Sequence, residues 1–464
     1  MKMNWDTLLN EKRFKKSSSD KLEFDNRNSF SSDYSRIIFS SSFRRLQDKT
    51  QVFPLKRGDF VRTRLTHSLE VSHISSSIGK AIEYKKQLKD DKISSILAVA
   101  GLIHDIGNPP FGHFGEFVIQ KFFKEFFEKN NLNLSQRQEN DLIYFDGNVQ
   151  TFRILKKLQY LGNEFGYNLT YGTLATIIKY PKNSVEGNKK NSLNIEEKKF
   201  GYFLSEDLDY KKINDELGLN NNRHPLTYLL EASDDIAYCV ADIEDGIQKK
   251  LITLEDIKEQ INKYKDRSDE KNLNSLIALE ENINKYELEN IQIKKSKGNR
   301  LYEKIIIQKI KIYLQSQMIN NTISIFLENE NDILNGIFKR ELLDVSSYKE
   351  IKNLFKNLAE NKIFNSKERV EIDLLGYQVI DTLLNIFVSS ALEILDKGKE
   401  ASIYSKGIYS LISDNYKLIY EEYEMKNAKT KEDKIYNTLK LCTDFISGMT
   451  DTFALELYKK LKVY

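Results

Sequence analysis

All five prolines of the 464-residue chain, Pro54, Pro109, Pro110, Pro181 and Pro225, fall in its first half, and none follows from Leu226 to the end. Proline removes a backbone donor and clashes with the preceding helical turn, so the proline-free second half is open to continuous helix. Apolar residues return there every three or four positions, as in "IFVSSALEIL" and "FALELYKKL", while period-two alternation is scarce. The expectation is an all-α protein. We expect residues 1–250 to form a core that carries the chemistry. Residues 251–464 are expected to form a helical C-terminal lobe that packs on it and completes its pocket or serves assembly. The Lys-, Glu- and Asn-rich stretch from Leu251 to Arg300 reads as solvated helices joining the two. Tyr180 to Lys199, with its Pro, Gly and clustered Asn and Ser, reads as loop.

Composition narrows the classes. Hydrophobic residues make up 40% and charged residues 30%, which suits a globular chain. Lys and Arg (71) nearly balance Asp and Glu (68), so the net charge of +3 offers no global field for nucleic acid, although a local basic groove is compatible with it. Cys239 and Cys442 lie far apart without ligand spacing and read as two buried thiols in a reducing compartment. The N-terminal "MKMNWDTLLNEKRFKK" has no apolar signal core, and no run approaches the roughly 18 uninterrupted apolar residues of a membrane span. A cytoplasmic protein with no membrane segment is expected.

The chemistry concentrates in "ISSILAVAGLIHDIGNPPFGHFGE". The first part reads as a helix apolar almost all round and therefore buried, so a His-Asp pair at its end is costly unless something binds it. Two prolines and three glycines then force a tight, shaped loop. In "TRLTHSLEVSHISSSIGKAI", His67 shares a helical stripe with Val71, Ile74 and Ile78 and points inward, whereas His73, six residues on, is turned away. In "HPLTYLLEASDDIAYCVADIEDGI", Pro225 suits the first turn of a helix, helped by His224. That helix places Asp234, Tyr238 and Asp242 on one face. His67, His104, Asp105 and one Asp of the 234/235 pair make a two-imidazole, two-carboxylate set. Nitrogen and oxygen ligands without thiolate suit a divalent ion with open positions, such as Mn²⁺, Mg²⁺, Fe²⁺ or Ni²⁺, better than structural zinc. His113, with Glu116 three residues on, forms a reasonable acid/base dyad in which the carboxylate orients the ring and stabilises imidazolium.

The pattern H…HD…D resembles the HD phosphohydrolase superfamily. The strings "FRRLQDKTQVFPL", "TRLTHSLEV", "GLIHDIGNPPFGHFGE", "FDGNVQTFR", "HPLTYLLEASDDIAYCVADIEDGI" and "DFISGMTD" resemble its bacterial deoxyguanosine triphosphate triphosphohydrolases. The resemblance implies a multi-helix HD-domain fold with additional C-terminal helices. It also implies hydrolysis of a deoxynucleoside triphosphate (dNTP), dGTP first among them, to nucleoside and tripolyphosphate, with Mn²⁺ or Mg²⁺ as cofactor. It implies His67, His104, Asp105 and Asp234 as metal ligands, the spacing Asp-x-x-x-Tyr-x-x-x-Asp selecting Asp234 over Asp235. His113 and Glu116 stand at the catalytic pair. Gln51 and Asp242 match groups that hold the sugar 3′-hydroxyl, and Tyr238 matches the ring under the deoxyribose that leaves no room for a 2′-hydroxyl. Arg64 suits the α-phosphate. Asn148 and Lys179 match the sugar or phosphate region. Arg44 and Arg45 either answer phosphates or pin the N-terminal segment. Related proteins form ring-like homo-oligomers, often hexamers, and some respond to dNTPs or single-stranded DNA. Where a basic residue is expected after "GMTD", this chain has Thr452 and Phe453, and nothing in the residues specifies guanine. The same metal set would also serve a phosphodiesterase acting on a cyclic nucleotide or nucleic acid ends. A nucleotide-sensing or DNA-binding subunit is the non-catalytic alternative, against which the intact His113 and Glu116 speak.

Overall fold

The computed structural model describes residues 2–16, 27–51, 55, 62–159, 162–189 and 192–462. Pro54, in the first of the matching strings, lies outside them. Every regular element among the described residues is helical, and extended pairing is limited to two isolated bridges, Arg13 with Thr170 and Thr50 with Thr63. The all-α expectation holds.

The helices that position the site are α1 (Arg64–Lys85), α2 (Lys92–Ile103), α3 (His113–Lys129), α4 (Gly147–Arg153), α5 (Tyr171–Ile177) and α6 (Pro225–Gln248). From the second half come α7 (Asn299–Glu328), α8 (Lys349–Ala359), α9 (Lys367–Lys397), α10 (Lys431–Ser447) and α11 (Asp451–Lys462). Thr63 and Thr66 form a capping box that starts α1. Helix α2 is buried almost all round, as its sequence predicts, and lies against α1 at unusually short range. A Cβ on Gly101 would stand 2.5 Å from the Ser72 Cα, so only glycine permits this approach. That contact brings the ends of α1 and α2 together, and with them His67 and His104.

Helix α6 begins as expected: Pro225 occupies its first turn, and the His224 Nδ1 accepts from the Leu226 N–H at 3.2 Å. Burial pushes the His224 imidazole down to about 4, which keeps the ring neutral and able to accept. The helix packs against α1, α2, α5, α7 and α8, so its acidic run is enclosed rather than solvated.

The segment after residue 250 corrects one expectation. Helices 254–265 and 270–289 are not simply solvated connectors. Each carries a buried stripe, Leu254, Ile257 and Ile261 on one and Leu276, Leu279 and Ile283 on the other, packed on α7 or α8. Residues 180–199 carry no regular element longer than a single 3₁₀ turn among those described. Helix α9 is long and apolar enough to cross a membrane, with mean hydropathy 1.4 over its most apolar window. Its Val379, Ile380, Leu383, Leu384, Phe387 and Val388 are buried against α3 and α10, so it serves as a core helix. Both cysteines are buried and free, as anticipated.

The two halves interlock. Arg153, at the end of α4, pairs with Asp444 of α10 through Nε–Oδ1 at 2.8 Å and Nη2–Oδ2 at 2.6 Å. Arg45 donates to the Gly448 carbonyl at 3.1 Å and the Tyr416 hydroxyl at 3.0 Å, so it pins the N-terminal segment, while Arg44 is exposed.

Candidate active site

His67 lies on the first turn of α1, inward with the buried Val71, Ile74 and Ile78. Its Nε2 is 3.1 Å from Asp234 Oδ1 of α6. His104 closes α2, where its Nδ1 hydrogen-bonds the Gly101 carbonyl at 2.8 Å. With Nδ1–H as donor, that bond turns the Nε2 lone pair inward, 3.5 Å from the same Asp234 oxygen. Ligand atoms of His67, His104 and Asp234 all lie within 4.8 Å of one another. The buried His104 Nε2 has no hydrogen-bond partner. Two imidazoles converging on one carboxylate, with a nitrogen left unsatisfied, form a donor set that fits a divalent ion.

Asp105 stands beside this group rather than within it. Its Oδ1 is 3.7 Å from His104 Nε2 and accepts from the Asn108 amide at 2.7 Å, while Oδ2 accepts from the Arg64 guanidinium. Each oxygen retains a second lone pair. Burial raises the Asp105 pKa, but the opposing charge of Arg64, then His104, holds it well below the usual carboxylate range. Asp234 is likewise held low against its burial by His104, His67 and Lys179. Both groups are thus held as carboxylates. Arg64, expected at the α-phosphate, here neutralises Asp105.

The loop after α2 is fastened along its length. The Gly107 N–H donates to Thr151 Oγ1 at 3.0 Å, and the Phe111 N–H to Asp451 Oδ1 at 2.9 Å. Gly112 adopts φ +63°, and a Cβ there would also stand 2.7 Å from Arg64 Nη2. Helix α3 then opens on His113, whose Nδ1 is 3.0 Å from Glu116 Oε2. Glu116 is buried and its Oε1 accepts from the Gly147 N–H at 2.8 Å, while the His113 side chain is 83% exposed. The carboxylate is therefore fixed and the ring is presented to solvent. The Glu116 charge, then its hydrogen bond, raises the His113 pKa.

Of the expected substrate residues, Lys179 and Arg64 contact this centre directly. Lys179 Nζ lies 3.5 Å from Asp234 Oδ2, and against its burial Asp234 and Glu231 raise its pKa, keeping it cationic. Tyr238 and Asp242 follow Asp234 one and two turns along α6, both half-buried. Burial, then Asp245, pushes Asp242 up to about 7. Gln51 adjoins the Thr50–Thr63 bridge, and its side-chain oxygen is buried without a partner. The Asn148 amide is engaged by Asp146 Oδ1 at 2.7 Å. Asp235 instead pairs with Lys352 of α8, whose Nζ is 3.4 Å from its Oδ2. His73 is exposed and takes no part. After Asp451, the Thr452 hydroxyl donates to Asp48 at 2.8 Å, and Phe453 is 47% exposed.

Four charged residues at or beside this site escaped the sequence reading: Lys49, Lys199, Lys352 and Asp451. Lys199 pairs with Asp146 and acts electrostatically on it and on Glu116. It ends the run "IEEKK", which reads as a solvated surface. Lys49 and Asp451 had a signal, since Lys49 lies in the matching string "FRRLQDKTQVFPL" and Asp451 closes "DFISGMTD".

Comparison with known proteins agrees with this geometry. An HD domain model matches residues 64–139, which hold His67, His104, Asp105, His113 and Glu116. The deoxyguanosinetriphosphate triphosphohydrolase-like protein of Listeria innocua is 40% identical, with 99% of each chain covered. The deoxyguanosinetriphosphate triphosphohydrolase of Yersinia enterocolitica is 31% identical over 97% of this chain and 96% of its own. That of an Enterobacter species is 32% identical over 99% and 98%. Over its whole length, the chain belongs to the family of deoxyguanosinetriphosphate triphosphohydrolases and triphosphohydrolase-like proteins, within the HD-domain proteins.

Proposed function

We propose that the protein hydrolyses a dNTP, dGTP foremost, at the α-phosphorus, releasing the deoxynucleoside and tripolyphosphate. The observation that carries this reading is the His67, His104 and Asp234 group set beside the His113–Glu116 pair on one fastened loop. A divalent ion, Mn²⁺ or Mg²⁺, held by His67, His104 and Asp234 with Asp105 alongside, would supply Lewis-acid polarisation and charge neutralisation at the α-phosphate. Lys179 is positioned to answer a phosphate oxygen, as is the Arg64 guanidinium on releasing part of its hold on Asp105. As a water oxygen bonds to phosphorus, the bond from phosphorus to the 5′ oxygen breaks, His113 gives that oxygen its proton, and the proton shed by the water passes to solvent, from which the imidazole is recharged. Glu116, fixed by the Gly147 N–H, orients the ring and stabilises its charged form. Tyr238 underlies the sugar, with Gln51 and Asp242 at the 3′-hydroxyl and Asn148 near the sugar or phosphates. The unsatisfied Gln51 oxygen supports that assignment, because a hydroxyl donor would satisfy it.

The deciding experiment incubates the protein with Mn²⁺ and each dNTP in turn and resolves the products. Deoxynucleoside plus tripolyphosphate is expected. Pyrophosphate with monophosphate, or no turnover of any dNTP, overturns the reading. Tyr238→Ala is expected to relax the rejection of ribonucleotides, and unchanged rejection would remove Tyr238 from the sugar site. Assembly into a homo-oligomer, hexamers included, and response to a dNTP or single-stranded DNA belong to the same proposal. Light scattering with and without nucleotide, and activity titrated with each effector, test them.

A further inference from the structure

The turn Asn108-Pro109-Pro110-Phe111 links the metal-binding pair His104 and Asp105 to the acid/base pair His113 and Glu116, and two buried side chains, one a donor and one an acceptor, grip its ends. Lys49, 2% exposed, donates from Nζ to the Asn108 carbonyl and, at 3.1 Å, to the Ser447 carbonyl at the end of α10. Asp451, also 2% exposed, opens α11 and accepts from the Phe111 N–H through Oδ1 and from the Thr50 N–H, at 3.0 Å, through Oδ2. Lys49 and Thr50 are neighbours in sequence. The two grips are therefore joined on both sides, by the chain at 49–50 and by the short segment from Ser447 to Asp451.

What is gripped is not at rest. Phe111 is not glycine, yet it adopts φ +63°, and Gly112 repeats that value. A non-glycine residue in this region is strained and persists only where its surroundings hold it. The Asp451 hydrogen bond holds its N–H, and its ring is buried against Gly376 of α9, where a Cβ would stand 2.8 Å from Phe111 Cγ. At the other end, Asn108 offers its carbonyl to Lys49 and its amide to Asp105 Oδ1, so one residue carries the grip directly to the metal side. The Lys49 carbonyl also accepts the Arg64 N–H at 2.8 Å, tying in the other partner of Asp105. Burial, then Arg45, pushes the Lys49 amine down to about 7, and in either protonation state it has N–H donors for both carbonyls.

We propose that Lys49 and Asp451 are paired positioning residues, a clamp that sets the span between the metal ligands and the His113–Glu116 pair. Neither touches the reacting atoms. The inference rests on the dNTP hydrolase reading, because the span matters only if both ends serve one phosphorus.

The test compares full-length Asp451→Asn and Lys49→Met with Thr452→Ala, which removes a neighbouring contact of the same interface without touching the turn. For each variant kcat, KM, Mn²⁺ affinity by calorimetry and the unfolding midpoint are measured. Both clamp variants are expected to lose about 10²-fold in kcat, the scale of a misplacement near 1 Å. KM and Mn²⁺ affinity are expected within about threefold of the parent, since binding groups remain. The double variant should lose little more than either single one, because both act on one turn. Thr452→Ala should keep the parent kcat. A folded clamp variant with parental kcat overturns the proposal, as does a kcat loss matched by an equal loss of Mn²⁺ affinity. Failure of both clamp variants to fold overturns it in favour of a purely structural role. Inactivity of the parent toward every dNTP would instead sink the underlying hydrolase reading.

Discussion

The protein contains two buried charged clusters built on different principles. Around Arg153, at the α4–α10 contact, the guanidinium meets Asp444 in a two-point grip and also reaches Glu206 and Glu424 at 2.9 Å each. Lys157 and Lys440 complete the balance, and one Glu206 oxygen is left without a donor. Around Asp234, by contrast, two imidazoles turn toward one carboxylate, and the His104 Nε2 that faces it lacks a hydrogen-bond partner. Buried polar groups are ordinarily satisfied from within, so the first cluster reads as a fastener and the second as a receptor for a cation. Burial and charge alone do not distinguish them. The direction of the donor atoms does.

The sharpest separation comes from His104→Ala. It is expected to fold, bind no Mn²⁺ by calorimetry and show no measurable turnover; retained metal binding would place the receptor elsewhere. His113→Ala should keep Mn²⁺ affinity while kcat falls by about 10²–10⁴-fold, the usual range for a general acid or base, and full activity would remove the dyad. On the fastener side, Arg153→Met strands buried carboxylates and should destabilise the protein by about 3–5 kcal/mol, read from its denaturation midpoint. A variant as stable as the parent would show that the network does not hold α4 to α10. The smallest effect concerns pH. Glu116 raises the His113 pKa above the ordinary 6.5, and the proton donor is lost as pH rises through the raised value. Glu116→Gln removes that charge, so the alkaline limb of the rate profile should begin at lower pH than in the parent. A limb that stays in place would assign it to another group.

Much of the receptor was legible in the sequence because its residues sit on short, strongly patterned elements. The His67 stripe, the apolar helix ending at His104 and the i, i+4, i+8 face of α6 each follow from helical spacing, and the folded chain brings them together. Helical periodicity alone left Asp234 and Asp235 open, since neighbouring residues on an enclosed helix both find buried surroundings, and only the spacing of the family resemblance chose Asp234. The second half was legible as helix but not as packing. Nothing in "YKEIKNLFKNLA" indicates that Lys352 reaches Asp235 across 117 positions. Lys49 and Asp451 fall in matching strings, but their roles were illegible for a further reason. Most of their partners are backbone groups, which every residue carries and no motif marks.

The fastening of Phe111 by Asp451 has a consequence for the order of synthesis. The helices that carry His67, His104 and Asp234 are complete once residue 248 has been made, yet the hydrogen bond that holds Phe111 in its left-handed conformation comes from a residue 340 positions later. A chain emerging from the ribosome thus carries its metal-binding residues long before the hold on its catalytic loop exists. The loop settles only once residue 451 has been made.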